Sequence, residues 1–369
     1  MTIGSGFKPL IRDGCGEVLA RLGATRPAVR LRQRLSIVTF HRVLSEEDRR
    51  RYPLPGLAVT PQELDLHLRY LTRHFECTTL LDAVVRWRRR EPSDRPLLAI
   101  TFDDGQRDNY VNALPVLERH RTKASFFVTS GTLDDTRPLW HDALAHLICR
   151  LRASSANPGD SADRDSRLND LLAEVMNQPT AEVLGRTVNI ETAVENTKRW
   201  SAEQRGDWMA RAARLLPRTP PEPWEGFMDI RELKHLLALG HEVGSHSHSH
   251  ALLPQCDDAM LTLEIADSKR RLEAALQAPV RTFCYPNGSV DSRCVNQVTQ
   301  AGYQAAVTTR WGSNPQDQHP ALLRRFDMNA RHAADRHGRF SEARLAWRMS
   351  GLHPGLSSQG DDLYAHAAV

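Results

Sequence analysis

Three histidines alternate with serines in the segment GSHSHSH, residues 244–250. If the chain turns into a helix or a tight loop after Ser245, His246 and His250 lie one turn apart and can bind one ion, as histidines four positions apart do in helical zinc motifs. The spacing is therefore compatible with a metal site. A solvated or hydrogen-bonded cluster explains it equally well until a carboxylate partner is found.

Two adjacent aspartates in the segment TFDDG, residues 101–105, supply candidate carboxylates. They follow a predicted buried strand and precede a glycine that permits a sharp turn, which is where α/β folds place active sites. Because Asp103 and Asp104 point in different directions, one can bind a metal while the other acts as a base. Two histidines and one carboxylate would leave coordination positions open, as in a catalytic zinc site. A turn with a capped helix is the alternative for DDG taken alone.

Short apolar runs alternate with helix-like segments along the chain, which predicts a parallel sheet or barrel covered by helices. Strands are predicted at 35–40, 97–102, 124–130, 241–247, 281–286, 303–309 and 322–326. Helices are predicted at 61–74, 108–120, 231–240, 258–276 and 291–301. This order places both the aspartate pair and the histidine segment at strand ends.

The alternation stops between about 150 and 225, where a polar stretch precedes amphipathic helices and a proline-rich segment. We therefore predict a helical extension at 1–34, a barrel domain at 35–350 with a helical insertion at about 150–225, and a flexible tail at 351–369. The insertion is either a lid or substrate-binding subdomain, or a surface elaboration without function.

Composition excludes several classes of protein. Of the 369 residues, 40% are hydrophobic and 25% are charged, as in an ordinary soluble enzyme. The formal net charge is +4, and only five of the 49 basic residues are lysines. Since no basic stripe is interleaved with aromatic residues, we expect no nucleic-acid partner. The six cysteines form no CxxC pair, which argues against a disulfide framework or a structural zinc knot.

No stretch of the sequence has the uninterrupted apolar length of a signal peptide or of a membrane-spanning helix. We therefore expect a cytoplasmic protein without a transmembrane segment. Residues 9–22 could form a short amphipathic helix, which would either pack on its own domain or make a peripheral membrane contact.

Three motifs follow one another in the order TFDDG at 101–105, HSHSH at 246–250 and FCYPNG at 283–288. On these motifs the sequence resembles the NodB-type polysaccharide deacetylases, the family 4 carbohydrate esterases. The resemblance extends from the first predicted strand to about residue 326. It implies an α/β fold, a distorted (β/α)7-type barrel, here with a helical insertion.

The resemblance also implies roles for the polar residues of the first two motifs. Asp104, His246 and His250 would bind a divalent metal, usually zinc. Asp103 would act as the general base on a water that the metal activates. His248 falls outside this ligand set, and we interpret it as a solvated or packed side chain.

The third motif departs from the family pattern at Cys284, where many relatives carry an arginine that orients the base. Arg325, in the late predicted strand LLRRF, is our candidate to replace it, although a salt bridge at the surface or the barrel end would explain Arg325 nearly as well. The resemblance further implies that the backbone N–H near Asn287 helps to hold the oxyanion, and a tight turn without a catalytic role is the alternative.

A general acid is also needed, because the leaving amine must gain a proton. Relatives commonly keep a histidine for this near the end of the domain, where LLRRF has none. His41 instead follows the first predicted strand, and this arrangement resembles a branch of the family in which the histidine strand has moved to the front by circular permutation. The first and last strands of a barrel are neighbours, so we predict His41 as the acid. A solvent-capped histidine at a strand end is the alternative.

The residues and the resemblance together predict a metal-dependent hydrolase that removes N-acetyl groups from an acetylated amino sugar, in a polysaccharide or a lipid-linked glycan precursor. A deformylase or another amidohydrolase on a non-polymeric amide would use the same active-site residues and differ only in its pocket. A carbohydrate-binding relative without catalysis is a third interpretation, and the intact residues Asp103, Asp104, His246 and His250 argue against it.

Overall fold

The computed structural model describes residues 7–135, 137–156, 162–180, 188–222 and 224–353. Their contacts form two compact units. The first contains the described residues up to Glu46, Gly56–Asp135 and those from Phe227 onward, and the second contains Glu47–Pro55 and the described residues from 137 to Gly226. Residues 1–6 of the predicted extension and 354–369 of the predicted tail lie outside the described part of the chain.

The first unit is a closed barrel of parallel strands. The strands among the described residues are β1 (Ser36–Phe40), β2 (Arg42–Val43), β3 (Ala58–Val59), β4 (Glu76–Thr78), β5 (Leu97–Phe102), β6 (Ser125–Val128), β7 (Glu242–Ser245), β8 (Thr282–Cys284), β9 (Ala305–Trp311) and β10 (Leu323–Asp327). β1 pairs with both β10 and β5, which closes seven strands in the order β1-β10-β9-β8-β7-β6-β5. β4 pairs with β5 outside this ring, and β2 pairs with β3. The predicted (β/α)7-type barrel is confirmed.

Helices surround this barrel and build the second unit. The α-helices of the described residues span Phe7–Arg21, Pro27–Arg30, Glu46–Arg51, Pro61–His74, Leu80–Arg88, Leu114–Arg119, Trp140–Ala156, Ala162–Met176, Ile190–Thr197, Ala202–Leu215, Ile230–Ala238, Asp258–Thr262, Ser268–Leu276, Ser292–Gln300, Ala330–Ala333 and Glu342–Met349. The helix predicted at 108–120 starts with a wide turn at Asn109–Ala113, because Pro115 has no N–H to donate to the preceding turn.

Alternate residues of the strands face two different layers, since the side-chain period of a strand is two. Phe40 and Phe102 belong to one buried cluster, which also contains Leu64, Leu68 and Leu71 of the helix Pro61–His74. Ile37 and Ala99 belong to another, which also contains side chains of the helix Leu80–Arg88. Ala99 and Thr101 on β5 point to the same side, because they are two positions apart. Asp103, just after the strand, continues this series and therefore points to the same layer as Ala99.

The second unit, described by itself, is helical, and it contains the helices between Trp140 and Leu215. Its core includes Trp208, which is fully buried and donates its indole N–H to the Leu171 carbonyl at 3.3 Å. The Arg205 guanidinium lies over the Trp140 ring, 4.6 Å from its centroid. Among all the described residues, no helix combines the length and the apolar character needed to cross a membrane.

Candidate active site

The predicted site residues gather at one end of the barrel. Asp103 and Asp104 follow β5, His246 and His250 follow β7, His41 follows β1, Asn287 follows β8, and Arg325 lies in β10. The carboxyl ends of parallel strands meet at the same end of a barrel, so side chains distant in sequence become neighbours.

Asp104, His246 and His250 form a buried group of possible metal ligands. The Asp104 Oδ1 atom lies 3.3 Å from His246 Nε2 and 3.4 Å from His250 Nε2. In a tetrahedral zinc site with bonds of about 2.0–2.1 Å, ligand atoms are about 3.3 Å apart. Two imidazole nitrogens and one carboxylate oxygen therefore fit a zinc-like ion and leave a fourth position for a water or a substrate.

The environment of His246 favours the same assignment. Its Nδ1 atom lies 2.8 Å from the Cys284 carbonyl oxygen, so Nδ1 carries the proton and Nε2 presents its lone pair. Burial lowers the pKa of His246, but Cys284 and the carboxylates of Asp104 and Asp103 outweigh burial and hold that pKa well above its ordinary value. Surroundings that stabilise an extra proton at this point stabilise a divalent cation as well.

The loop after β7 is held by a buried acid. The Glu264 carboxylate accepts hydrogen bonds from the backbone N–H groups of His248 and Ser249, at 3.0 and 2.9 Å. Ser247 and His250 have left-handed backbone conformations, with φ of 65° and 59°. Non-glycine residues adopt this region only when the surrounding contacts impose it, so the loop is built to aim His250.

His248 lies outside the ligand group. It is half-buried, and its Nδ1 atom lies 3.0 Å from the Ser130 hydroxyl. We expect His250→Ala to lower the bound metal per chain far more than His248→Ala, because only the first variant removes an atom that faces Asp104. Metal analysis after dialysis of both variants measures this, and the reverse order would show that our ligand assignment is wrong.

Asp103 is bound by Arg325 through both carboxylate oxygens. Arg325 Nη1 donates to Oδ1 at 2.7 Å and Nη2 donates to Oδ2 at 2.8 Å. Burial raises the pKa of Asp103, but the charge and the hydrogen bonds of Arg325 outweigh it, and the pKa of Asp103 is lowered. The carboxylate is thus kept ionised and fixed in orientation.

Arg325 occupies the space beside Cys284. Its Nη2 atom lies 3.3 Å from the Cys284 sulfur, and that sulfur lies 3.5 Å from Asp103 Oδ2. Further hydrogen bonds run from Arg325 to the Thr308 carbonyl oxygen and to the Thr39 hydroxyl, at 2.8 and 2.9 Å. A guanidinium from β10 therefore meets the aspartate where the family pattern has an arginine from the third motif.

His41 lies near the same aspartate. Its Nε2 atom lies 3.7 Å from Asp103 Oδ2, which is too long for a direct hydrogen bond. The His41 side chain is 21% exposed, whereas the Asp103 side chain is 2% exposed. His41 can therefore meet a ligand that enters from solvent and reaches Asp103.

A buried ion pair that the sequence did not predict holds the segment of His41. Arg42 Nε donates to Asp108 Oδ2 at 2.7 Å, and the backbone N–H of Val43 donates to Asp108 Oδ1 at 2.6 Å. Asn109 donates its side-chain amide to the His41 carbonyl oxygen at 2.7 Å. In the sequence, Asp108 and Asn109 stand at the predicted start of a helix just after TFDDG. Polar residues at that position are typical of helix caps, so they do not indicate an ion pair.

Asn287 lies in a tight left-handed turn after β8, with φ of 57°. Its carbonyl oxygen accepts a hydrogen bond from the Thr309 hydroxyl at 3.2 Å, and its side-chain amide donates to the Ser289 hydroxyl at 3.1 Å. The turn is thereby tied to β9. An oxyanion role for its backbone N–H stays a prediction.

Gly288 permits this turn because it has no side chain. An added Cβ would collide with the Thr309 hydroxyl and lie 2.6 Å from the Thr309 backbone nitrogen. We expect Gly288→Ala to lower the free energy of unfolding by about 1–3 kcal/mol more than Gly302→Ala, through overpacking. Gly302 is a matched control, since its φ is +79° against +69° and its Cβ would meet open space. Urea denaturation of both variants measures the difference, and equal losses would contradict the tight contact.

A seven-stranded (β/α) barrel with an aspartate pair and two histidines at its carboxyl end defines a class of hydrolases, the carbohydrate esterases and deacetylases. The chain belongs to the polysaccharide deacetylase family, whose family model matches residues 90–306. The matched range contains the metal-binding candidates and Asp103. His41 and Arg325 lie outside it.

Individual relatives agree with this family. The peptidoglycan-N-acetylglucosamine deacetylase of Bacillus cereus is 29% identical over 85 residues, which are 23% of this chain and 39% of that protein. The chain thus spans about two fifths of the length of the curated relatives that it matches.

Solved structures share the fold. The Streptococcus pyogenes deacetylase PplD, in complex with acetate, has a TM-score of 0.54 at 16% identity, with 86% of this chain and 98% of that chain covered. IcaB from Ammonifex degensii has a TM-score of 0.50 at 16% identity, with 85% and 95% covered. At these identities the likeness supports the barrel and not a particular substrate.

Proposed function

We propose that this protein is a metal-dependent de-N-acetylase that acts on an acetylated amino sugar, in a polysaccharide or a lipid-linked glycan precursor. The observation that carries the proposal is the juxtaposition of two functional groups in one buried pocket. Asp104 with the two histidines can hold a cation, and Asp103, fixed by Arg325, is an ionised carboxylate beside it.

Each of these residues has a distinct task. Asp104, His246 and His250 would hold the divalent metal, zinc in our proposal, which supplies a Lewis acid that polarises the amide carbonyl and makes water more acidic. Asp103 accepts the proton of the attacking water. Arg325 fixes the direction of the Asp103 lone pairs through its two hydrogen bonds.

The leaving group requires a proton from a second residue. His41, on the open side of Asp103, donates it from Nε2 to the sugar nitrogen as the C–N bond breaks. The backbone N–H near Asn287 donates a hydrogen bond to the oxygen on which negative charge develops. The products are acetate and a free amino sugar.

Mass spectrometry tests this function directly. Zinc-loaded protein incubated with N-acetylated oligosaccharides is expected to give products that have lost one acetyl unit, with acetate released in equal amount. His250→Ala protein serves as the control for a contaminating activity. Hydrolysis of N-formyl but not N-acetyl sugars would instead indicate the deformylase, and unchanged masses across a panel of acylated sugars would contradict the proposal.

A further inference from the structure

Three large apolar side chains are exposed near one another in the N-terminal part of the chain. Val18 is 55% exposed, Leu22 is 75% exposed and Val29 is 69% exposed. They are three of the seven large apolar side chains that are exposed in the described residues, and the other four are scattered along the chain. An apolar side chain exposed alone is ordinary, but a local group of them marks an interaction surface.

The segment that carries them is strongly basic. Residues 18–34 contain five arginines and neither an aspartate nor a glutamate. Arg21, Arg26, Arg30 and Arg32 are exposed beside the apolar side chains. Arg21 also pairs with Glu17 at 3.3 Å, just before this segment. Exposed apolar side chains that alternate in sequence with arginines fit the boundary between the headgroups and the acyl chains of a bilayer.

A cavity of about 450 Å³ continues this basic surface, and Arg32, Arg34, Arg90 and Trp87 contribute to its lining. Glu91 also lines it, and Glu91 itself lies 3.6 Å from Arg86 and 3.7 Å from Arg89. Burial lowers the pKa of Arg34, Asp317 partly offsets that effect, and the like charge of Arg30 adds a smaller lowering. The positive charges of Arg32, Arg34 and Arg90 in the lining would attract an anionic headgroup into this cavity.

The position of the cavity separates it from catalysis. Arg32 and Arg34 precede β1, and Trp87 and Arg90 precede β5. They therefore lie at the amino ends of barrel strands, opposite the end that carries Asp103. A headgroup bound in this cavity would leave the active site open to a glycan.

We propose that the docking face, defined as Val18, Leu22 and Val29 with the arginines of residues 18–34, binds the anionic surface of a lipid bilayer. The three apolar side chains enter the headgroup boundary, and the arginines contact lipid phosphates. A second copy of this chain is a poorer occupant, because two such faces would bring five arginines against five. The inference goes beyond deacetylation, since it concerns where the enzyme is held and not what it hydrolyses.

Vesicle flotation of the full-length protein tests the docking face. The protein is expected to float with vesicles of phosphatidylcholine mixed with phosphatidylglycerol, to stay behind with phosphatidylcholine alone, and to be released by high salt. Leu22→Glu/Val29→Glu and, separately, Arg21→Gln/Arg32→Gln should each weaken binding at least about tenfold. Val111→Glu, at a position 53% exposed elsewhere on the first unit, is the matched control and should bind normally.

Two further measurements make the result decisive. Deacetylation of a soluble oligosaccharide should be equal in all variants, so a loss of vesicle binding is distinguishable from a loss of the proposed activity. Equal flotation with neutral and anionic vesicles, or none with either, would overturn the proposal. So would a dimer in light scattering that Leu22→Glu/Val29→Glu dissociates, because the face would then belong to a second copy.

Discussion

Asp103→Asn is expected to keep its metal and to lose about 10²- to 10⁴-fold in turnover, the usual share of a general base. Asparagine preserves the shape of the side chain and one acceptor for Arg325, but its amide cannot take a proton from water. The ligand atoms of Asp104, His246 and His250 are untouched. Turnover on the acetylated sugar, measured together with the metal content, checks both parts.

The same variant should also be less stable. Arg325 is 1% exposed, and without Asp103 its charge has no carboxylate at bidentate distance among the described residues. Removing one partner of a buried ion pair costs about 3–5 kcal/mol, so turnover must be measured well below the lowered melting temperature.

A double variant separates the lost base from the lost stability. Asp103→Asn/Arg325→Met removes the stranded charge and should recover part of the free energy of unfolding without recovering turnover. Near-normal turnover in Asp103→Asn, or turnover that returns in the double variant, would remove Asp103 from the role of base.

The regular elements of the barrel were predictable because local signals specify them. The apolar run of β5 and the helix Pro61–His74 match their predicted bounds, the latter because Thr60 and Glu63 form a reciprocal capping box. β4 was not predicted. Its three residues, Glu76–Thr78, are half-exposed, so they form neither an apolar run nor an alternating pattern.

The site residues likewise divide into those that local sequence patterns predict and those that they do not. The motif residues could be placed at strand ends because Asp103 and Asn287 directly follow predicted strands and His246 lies near the end of another. The contact between Arg42 and Asp108 joins residues 66 positions apart, and neither has a pattern that points to the other. Arg325 could be nominated only because Cys284 departs from the family motif, and its contact with Asp103 depends on the register of β10.

His41→Ala is expected to fold and to bind metal, and to lose about 10²- to 10⁴-fold in deacetylation of an amino sugar. An amine leaves poorly without a proton, whereas the phenolate of an activated aryl acetate leaves without one. The loss should therefore be much smaller on the aryl acetate. Rates on both substrates, at the same metal content, measure the ratio of the two losses.

The structure gives reason to expect a chemical and not a structural loss. The backbone at His41 is held by Asn109, and the next two residues are held by Asp108, so truncating the partly exposed imidazole leaves those hydrogen bonds in place. His248→Ala is the matched control, because it removes a histidine of the same end of the barrel that lies outside the ligand group, and it should change neither rate much.

The ratio of the two rate losses isolates the protonation of the leaving group, because both substrates need the same attack on a carbonyl. If His41 mainly positioned water or substrate, its removal would slow the attack on amide and ester alike. If it protonates the leaving nitrogen, only the amide depends on it. Its Nε2 atom, 3.7 Å from Asp103 Oδ2, is near enough to serve the same reacting centre and too far to be tied up by that carboxylate. Equal loss on both substrates, or no loss on either, would therefore exclude His41 as the acid.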